Sequence, residues 1–231
     1  MKNSLIIPLA ANKDEYRNEI PYLFRLDSKG RMICMAAICG MDLDKFDNIY
    51  VTILKKHSIA YLLKELLLLQ FERLGINDKA HVVELDLPTQ SQPETVYRTI
   101  IKNNIVGQIF IKDADSYFET EIPIENSVCI YPLDKLNQVN PQNKSYVNVD
   151  DMYYITNIIE KRILGRDFCA GGYFFEGSEL FCKIFEELKD YKPLYMSHII
   201  YKALLDGHSF RPTKVNNYKD WGTLKDWREN E

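Results

Sequence analysis

The stretch Ile109-Phe110-Ile111-Lys112-Asp113-Ala114-Asp115 decides the fold of this chain. Its first four residues suit a buried strand, and two carboxylates follow directly with a spacing of i, i+2. On a strand that spacing places both side chains on one face. At the carboxyl end of a sheet the pair would seat a hard cation, because Mg²⁺ and Mn²⁺ prefer one or two carboxylates, with waters and phosphates completing the shell. An acidic pair after a strand is also common as a turn or a helix N-cap, so both interpretations stay open at this point.

Strands and helices alternate through the first half of the chain. Apolar runs predict strands at residues 4–9, 49–54, 81–85 and 107–112, separated by helical patterns at 33–39, 59–74 and 94–103. This order predicts an α/β fold with a mostly parallel sheet flanked by helices. Ligands of such sheets bind beyond the carboxyl ends of the strands. We therefore expect the strand exits at 9–11, 87–93 and 113–115 to share one cleft, which favours a metal at Asp113 and Asp115.

The second half of the chain is less regular and predicts a smaller, mixed region. Its patterns indicate strands at 127–132, 145–149, 153–160, 168–176 and 208–215, helices at 178–188 and 195–205, and a polar tail from residue 220. No repeat and no low-complexity linker interrupts the chain. We therefore predict one domain, residues 1–231, built from the halves 1–117 and 118–231.

Composition excludes several classes of function. The net charge of −4 provides no basic field for nucleic acid. Five cysteines form no C-x-x-C pair and the four histidines are scattered, which argues against a zinc site. We interpret the cysteines as reduced core residues, which predicts a cytoplasmic protein. No apolar run of about 18 residues is present, so no membrane span is expected.

Five segments taken together resemble the sugar-phosphate nucleotidyltransferase family: residues 5–11, 89–95, 113–115, 157–175 and 218–223. The resemblance covers nearly the whole chain in the expected order. It implies a GT-A-like, Rossmann-like fold and an enzyme that condenses a nucleoside triphosphate with a phosphorylated acceptor, releasing pyrophosphate. Residues 1–117 would then be the nucleotide-binding half and 118–231 the acceptor-binding half.

The first segment departs from the family pattern. In the family a strand ending in small residues leads into a glycine-rich loop, G-x-G-x-R, that cradles the triphosphate. Here Leu9-Ala10-Ala11 is followed by Asn12-Lys13-Asp14-Glu15-Tyr16-Arg17, which has no glycine. Without glycine the backbone cannot easily take positive φ or approach phosphates closely. Either the loop bends differently, with Lys13 and Arg17 supplying charge, or activity is altered, and both side chains would also suit a solvated surface.

A second departure follows at Pro21-Tyr22-Leu23, where the family often has Pro-Lys-x-Leu. The expected lysine is a tyrosine, and Arg25 or Lys29 would have to replace it. The second segment, Thr89-Gln90-Ser91-Gln92-Pro93-Glu94-Thr95, resembles the family loop T-x-G-x-A-x-T that packs against the base. The resemblance makes four of its residues nucleotide-binding candidates, although a plain capping loop is the alternative: Gln90, Ser91, Glu94 and Thr95.

The remaining segments imply the metal and acceptor residues. Asp113 would be a metal ligand near the α-phosphate with Asp115 as its companion, and Asp220 of Asp-Trp-Gly-Thr would be the second protein ligand. Glu160 would contact acceptor hydroxyls and Lys161 the acceptor phosphate, although a Glu-Lys pair at a strand end is usually a weak surface ion pair. Two glycines would let the acceptor approach the backbone: Gly171 and Gly172. Asp113, Asp220 and Lys161 are thus the catalytic candidates.

The overall likeness is greatest to capsule-biosynthesis members such as the CTP:phosphoglutamine cytidylyltransferases. It implies Mg²⁺ or Mn²⁺ as cofactor, with CTP and phosphoglutamine or a sugar phosphate as substrates. Two alternatives are a GT-A glycosyltransferase that uses a finished nucleotide sugar and a non-catalytic nucleotide-binding relative. The missing loop glycines favour the latter, whereas the distal Asp220 favours nucleotidyl transfer. The oligomeric state, a homodimer included, stays open.

Overall fold

The computed structural model describes residues 2–11, 20–133 and 141–230. Four parallel strands in the order β3-β2-β1-β4 form one half of the main sheet. Ile6 pairs with Tyr50 on one side and with Ile111 on the other, so the first strand is central. The strands are β1 (Asn3–Pro8), β2 (Asn48–Leu54), β3 (Ala80–Leu85) and β4 (Gln108–Lys112).

The same sheet continues into the second half of the chain with mixed directions. Its long strand β9 (Asp167–Phe175) runs antiparallel to both β4 and β6. β10 lies parallel to β6 at the edge, and β7 and β8 form an antiparallel hairpin beside β9. A separate two-stranded sheet pairs β5 with β11. These strands are β5 (Ser116–Glu119), β6 (Ser127–Pro132), β7 (Ser145–Val149), β8 (Ile155–Glu160), β10 (Arg211–Lys214) and β11 (Asn216–Asp220).

Helices cover both faces of the sheet, because the central strands are apolar on both sides. Leu5 and Ile7 pack into one buried cluster while Ile6, between them, packs into the other. A fully buried aromatic side chain such as Phe110 contributes about 1.5–3 kcal/mol relative to an exposed one. The helices are α1 (Ile33–Ala36), α2 (Lys55–Tyr61), α3 (Leu63–Arg73), α4 (Gln92–Asn103), α5 (Ser178–Leu188), α6 (Met196–Leu205) and α7 (Leu224–Asn230). The α/β fold class is confirmed.

Two predicted helices differ from the structure. The pattern at 59–74 contains the end of α2 and all of α3, divided at Leu62, whose φ of 53° is left-handed. After this break, α3 buries Leu63, Leu67 and Phe71, which follow the spacing of one helix face. The helix expected at 33–39 is only the short α1.

The polar tail expected from residue 220 is also wrong in part. Asp220 ends β11, and α7 follows it. Trp221 and Trp227 pack with Tyr22 and Ile33 into a small buried cluster. Charged residues dominate the outer face of this helix, so its apolar contacts are too few to give a clear helical pattern in the sequence. Among the described residues, no helix combines the length and the hydrophobicity that crossing a bilayer requires.

Candidate functional site

Two cavities open at the carboxyl ends of the parallel strands. The β1–β3 cavity has a volume of about 680 Å³ and collects the exits of three strands; its lining includes Leu9, Ala11, Lys56, His57, Gln90 and Ser91. The β7–β11 cavity has a volume of about 720 Å³; its lining includes Lys144, Ser145, Glu160, Lys161, Tyr218 and Asp220. Four residues line both cavities: Gln92, Asp113, Asp115 and Tyr195. The two acidic residues that the sequence singled out therefore lie where the cavities meet.

Asp113 is held by the neighbouring strand and by a helix. Its backbone N–H donates to the carbonyl of Gly171 at 2.8 Å, and Gln92 Nε2 donates to its Oδ1. Gly171 has a φ of +91°, and a Cβ there would lie 2.8 Å from both Cβ and Oδ2 of Asp113. Gly171 therefore makes room for the Asp113 carboxylate, a function that the sequence analysis did not assign to it.

Burial raises the pKa of Asp113 to about 6, and the nearby negative charge of Asp115 acts in the same direction. The opposing influences are Lys112, Gln92 and Lys144. Two carboxylates in one cavity wall, one of them with its charged form disfavoured by burial, suit a divalent cation. Mg²⁺, which is typically held by one or two carboxylates, fits this pair of donors.

Asp220 is in the same cavity, but its carboxylate is engaged elsewhere. Its Oδ2 lies 2.7 Å from Lys144 Nζ, and its Oδ1 accepts a hydrogen bond from the Gly222 N–H at 3.1 Å. Across the described residues, no group of three or more His, Cys, Asp and Glu side chains is close enough to hold a metal ion. The expected three-carboxylate set is thus present in one cavity without being assembled around a single point.

A fully buried lysine, Lys112, donates hydrogen bonds to the turn that contains Asp113 and Asp115. Lys112 Nζ donates to the carbonyl oxygens of Asp113 and Ser116 at 2.6 and 2.7 Å, and to Ser116 Oγ at 3.0 Å. It also lies 4.3 Å from the centroid of the Phe118 ring. Burial lowers the pKa of Lys112 to about 8. Sequence reasoning treated Lys112 as an ordinary strand residue, although a lysine between buried strand positions was a signal.

Backbone contacts of β11 and Trp221 hold Asp220 next to this turn, although these residues are distant in sequence. In the β5–β11 pair Asp220 lies opposite Ser116. The next residue, Trp221, donates its N–H to the Asp115 carbonyl at 2.9 Å. Its own carbonyl accepts a hydrogen bond from Tyr22 Oη at 2.8 Å. Tyr22 is thus a buried hydrogen-bond donor next to Asp220. It occupies the position at which the family named in the sequence analysis often has a lysine.

The loop before α4 shapes the β1–β3 cavity. The Thr89 and Thr95 hydroxyls hydrogen-bond each other at 2.5 Å, and Thr95 is fully buried. Ser91 Oγ accepts from the Glu94 N–H, while a Glu94 carboxylate oxygen accepts from the Gln90 N–H at 2.7 Å. The capping interpretation therefore describes Ser91, Glu94 and Thr95 well, and the Gln90 side chain is left to face the cavity.

The three residues that follow the first strand differ in whether they line the β1–β3 cavity. Leu9 and Ala11 line it, whereas Ala10 is fully buried and its carbonyl accepts the Thr89 N–H at 3.0 Å. Ala10 therefore anchors the loop through its backbone, and its assignment to nucleotide binding stays a prediction. The predicted triphosphate-binding residues Lys13 and Arg17 lie outside the described residues.

Glu160 and Lys161 are held separately in the β7–β11 cavity. The Glu160 carboxylate accepts hydrogen bonds from Ser145 Oγ and, at 2.7 Å, from Ser197 Oγ. Lys161 has a left-handed φ of 55° and donates from Nζ to Tyr195 Oη at 3.0 Å. These contacts differ from a simple ion pair between sequence neighbours, because each side chain is positioned by residues of another segment.

Gly172 lies against buried side chains of the core. A Cβ at this position would lie 2.7 Å from Cys129 Sγ and 2.9 Å from Phe118 Cζ. The missing side chain therefore makes room for core packing, and Gly172 is not among the residues that line either cavity. All five cysteines are free, and burial raises the pKa of the Cys129 thiol to about 12.

Lys144 is a further charged residue of the β7–β11 cavity. Its ammonium contacts Asp220 and donates to Tyr218 Oη at 2.9 Å. Burial alone would lower the pKa of Lys144, but Tyr218 and Asp220 raise it above its ordinary value. The residues proposed to replace the missing lysine, Arg25 and Lys29, are not among the described residues that line either cavity.

Comparison with known proteins supports the fold. Neither a protein-family model nor a curated protein sequence matches the chain. A nucleoside-diphosphate-sugar pyrophosphorylase from Vibrio cholerae RC9 superposes with a TM-score of 0.78 at 15% identity, covering 97% of this chain and 98% of that one. The inositol-1-phosphate CTP transferase from T. maritima gives 0.72 at 15% identity, with coverages of 98% and 91%. A putative glucose-1-phosphate thymidylyltransferase from Bacillus anthracis gives 0.73 at 14% identity, with coverages of 100% and 94%. The chain therefore has the fold that these nucleotidyltransferases share.

Proposed function

We propose that this protein is a nucleotidyltransferase that joins a nucleoside triphosphate to a phosphorylated small molecule and releases pyrophosphate. One observation carries the proposal: two cavities of similar volume meet at Asp113 and Asp115. A transfer between two substrates needs two binding spaces that share one reacting point. The neighbours named above have this fold, and they are described as a pyrophosphorylase, a CTP transferase and a putative thymidylyltransferase.

The β1–β3 cavity is the proposed nucleotide site. It lies at the exits of the parallel strands, next to the point where the strand order reverses between β1 and β4. Gln90 offers an amide donor and acceptor for a base edge, and Leu9 and Ala11 provide apolar walls. Lys56 and His57 are the basic side chains that line it in the described part of the chain.

The β7–β11 cavity is the proposed acceptor site. Glu160, fixed by two serine hydroxyls, presents acceptor oxygens to a hydroxyl or an amide of the substrate. Lys161 supplies a positive charge for the acceptor phosphate at the edge of the cavity. A general base is unnecessary, because a phosphate monoester is already ionised near pH 7.

Asp113 and Asp115 would hold a divalent cation, with Asp220 as the third proposed ligand. Mg²⁺ bound there would neutralise phosphate charge and orient the transferring group. The chain itself fixes the two carboxylates: Gln92 and Gly171 position Asp113, and Lys112 holds the turn that follows. Asp113, Asp220 and Lys161 are therefore the proposed catalytic residues.

CTP is the proposed nucleotide, and phosphoglutamine or a sugar phosphate the proposed acceptor, in capsular polysaccharide biosynthesis in the cytoplasm. This finer assignment is supported by the likeness of the sequence segments and by a fold shared with a CTP transferase. Residues 1–117 would serve the nucleotide and 118–231 the acceptor. A homodimer is compatible with this proposal, which needs no second chain to complete either cavity.

The decisive experiment supplies the protein with each of the four ribonucleoside triphosphates, Mg²⁺ and a panel of phosphorylated acceptors. Pyrophosphate release is followed by a coupled assay, and the new diphosphate linkage by ³¹P NMR. CTP with phosphoglutamine is expected to give the highest rate, and an Asp113→Asn variant of unchanged circular dichroism is the control. Release of a free nucleoside diphosphate from a nucleotide sugar would support the glycosyltransferase alternative. Tight CTP binding with no turnover across the panel would support the non-catalytic alternative.

A further inference from the structure

Lys144 lies directly before β7, and its side chain reaches into the β7–β11 cavity. Its Nζ is 2.7 Å from Asp220 Oδ2, and its charge also stabilises the carboxylate of Asp113. The two acidic residues come from segments more than a hundred positions apart. Lys144 is therefore a cation that contacts Asp220 and lines the same cavity as Asp113.

The Lys144 side chain is only 15% exposed and is held from several sides. Its Nζ lies 5.5 Å from the Tyr218 ring centroid and 5.7 Å from that of Phe168, and Tyr218 stacks on Tyr131. An ammonium group has three N–H donors. Asp220 and Tyr218 take two of them among the described residues, which leaves one donor for a ligand in the cavity.

Lys161, the lysine implicated by sequence, is placed differently. Its side chain is exposed, and its ammonium rests against Tyr195, 4.6 Å from the ring centroid. The Lys161 N–H donates to the Lys144 carbonyl at 3.0 Å, so the two lysines occupy adjacent backbone positions at different depths. Because Coulomb attraction grows as water is excluded, an anion that reached the deeper ammonium would be screened less than one at Lys161.

We propose that Lys144 is a phosphate-binding residue of the β7–β11 cavity, which Asp113 also lines, additional to Lys161. Its ligand is a phosphate monoester or a polyphosphate, and assigning that ligand to a transferring phosphoryl group rests on the proposed function. Asp220 and Tyr218 hold the ammonium in place in the free protein, so little side-chain freedom is lost when the anion binds. In the protein without substrate, Asp220 is therefore already paired with the ammonium of Lys144.

Isothermal titration calorimetry with inorganic pyrophosphate tests this proposal without requiring turnover. Lys144→Met is expected to weaken binding by about 10- to 100-fold, the range for losing a charged hydrogen bond. Lys144→Arg should retain most of the affinity. Lys214→Met is the matched control, because Lys214 also lies 5.5 Å from a tyrosine ring but is exposed on β10. Wild-type affinity in Lys144→Met would overturn the proposal.

A second measurement uses the unaltered protein, so it does not depend on whether a variant folds. Reductive methylation of lysines is followed by mass spectrometry with and without pyrophosphate. Slower modification of Lys144 in the presence of pyrophosphate supports the proposal, and equal rates overturn it. Both readouts report binding alone. A wild-type protein that binds pyrophosphate through Lys144 yet turns over no substrate pair would refute the proposed function and leave this inference standing.

Discussion

Replacing Gly171 by alanine tests whether the position of the Asp113 carboxylate sets the rate. The new Cβ would lie 2.8 Å from Asp113 Oδ2, whereas ordinary contact begins at 3.4 Å. The carboxylate must therefore retreat by about 0.6 Å, the difference between those distances. Misplacing a reacting group by about 1 Å can cost about 10²-fold in rate. We expect kcat for pyrophosphate release to fall by about 10- to 100-fold, with a smaller change in the KM for nucleotide.

The substitution also strains the backbone, and this effect needs its own control. Gly171 has a φ of +91°, and Gly207 has a φ of +86° with no atom within 4 Å of a built Cβ. Both alanine variants should lose about 1–2 kcal/mol of unfolding free energy, because left-handed backbone is costly for L-residues. Urea denaturation measures that loss, and the coupled assay measures kcat. If Gly171→Ala and Gly207→Ala have the same kcat, the proposed positioning of Asp113 is wrong.

Three further substitutions test the support around the acidic turn. Asp113→Asn should keep the fold, as circular dichroism would show. It should raise the activation free energy of nucleotidyl transfer by at least about 3 kcal/mol, roughly 10² in rate. Near wild-type turnover at saturating Mg²⁺ would contradict this. Lys112→Met should lower the unfolding free energy by about 3 kcal/mol in urea titrations, because three acceptors lose their donor. The control is Lys64→Met at an exposed position, which should change the unfolding free energy by less than about 0.5 kcal/mol. Tyr22→Phe should cost about 1 kcal/mol through the lost hydrogen bond to Trp221 and lower kcat as well; an unchanged kcat would show that this bond does not position Asp220.

Most of the sheet and helices could be predicted from local pattern. The strands at 127–132 and 145–149 and the helix at 178–188 match the structure at both ends. Their apolar residues follow one period with few interruptions, so the local sequence contains the information. Gly75 shows the same for helix termination, since its φ of +67° suits the end of α3.

The failures lie where distant segments decide the structure. β5 and β11 are short, without a regular apolar pattern, and they pair with each other across about a hundred residues. Ion pairs between distant residues, such as Lys144 and Asp220, produce no periodic pattern in the sequence. The placement of Asp113 at a strand exit could be predicted from its own neighbours, whereas the contacts of Lys112, Gln92 and Tyr22 required the folded chain.

The hydrogen bond between Tyr22 and Trp221 joins residues 199 positions apart. Contacts at such separation require a large loop to close, so they form late in folding. During synthesis the amino-terminal parallel strands can assemble first. Asp220 reaches the acidic turn only once residue 221 has been made and docked. A growing chain would therefore build most of its sheet before the proposed site was complete, and the proposed nucleotidyl transfer would begin only after the chain had folded throughout.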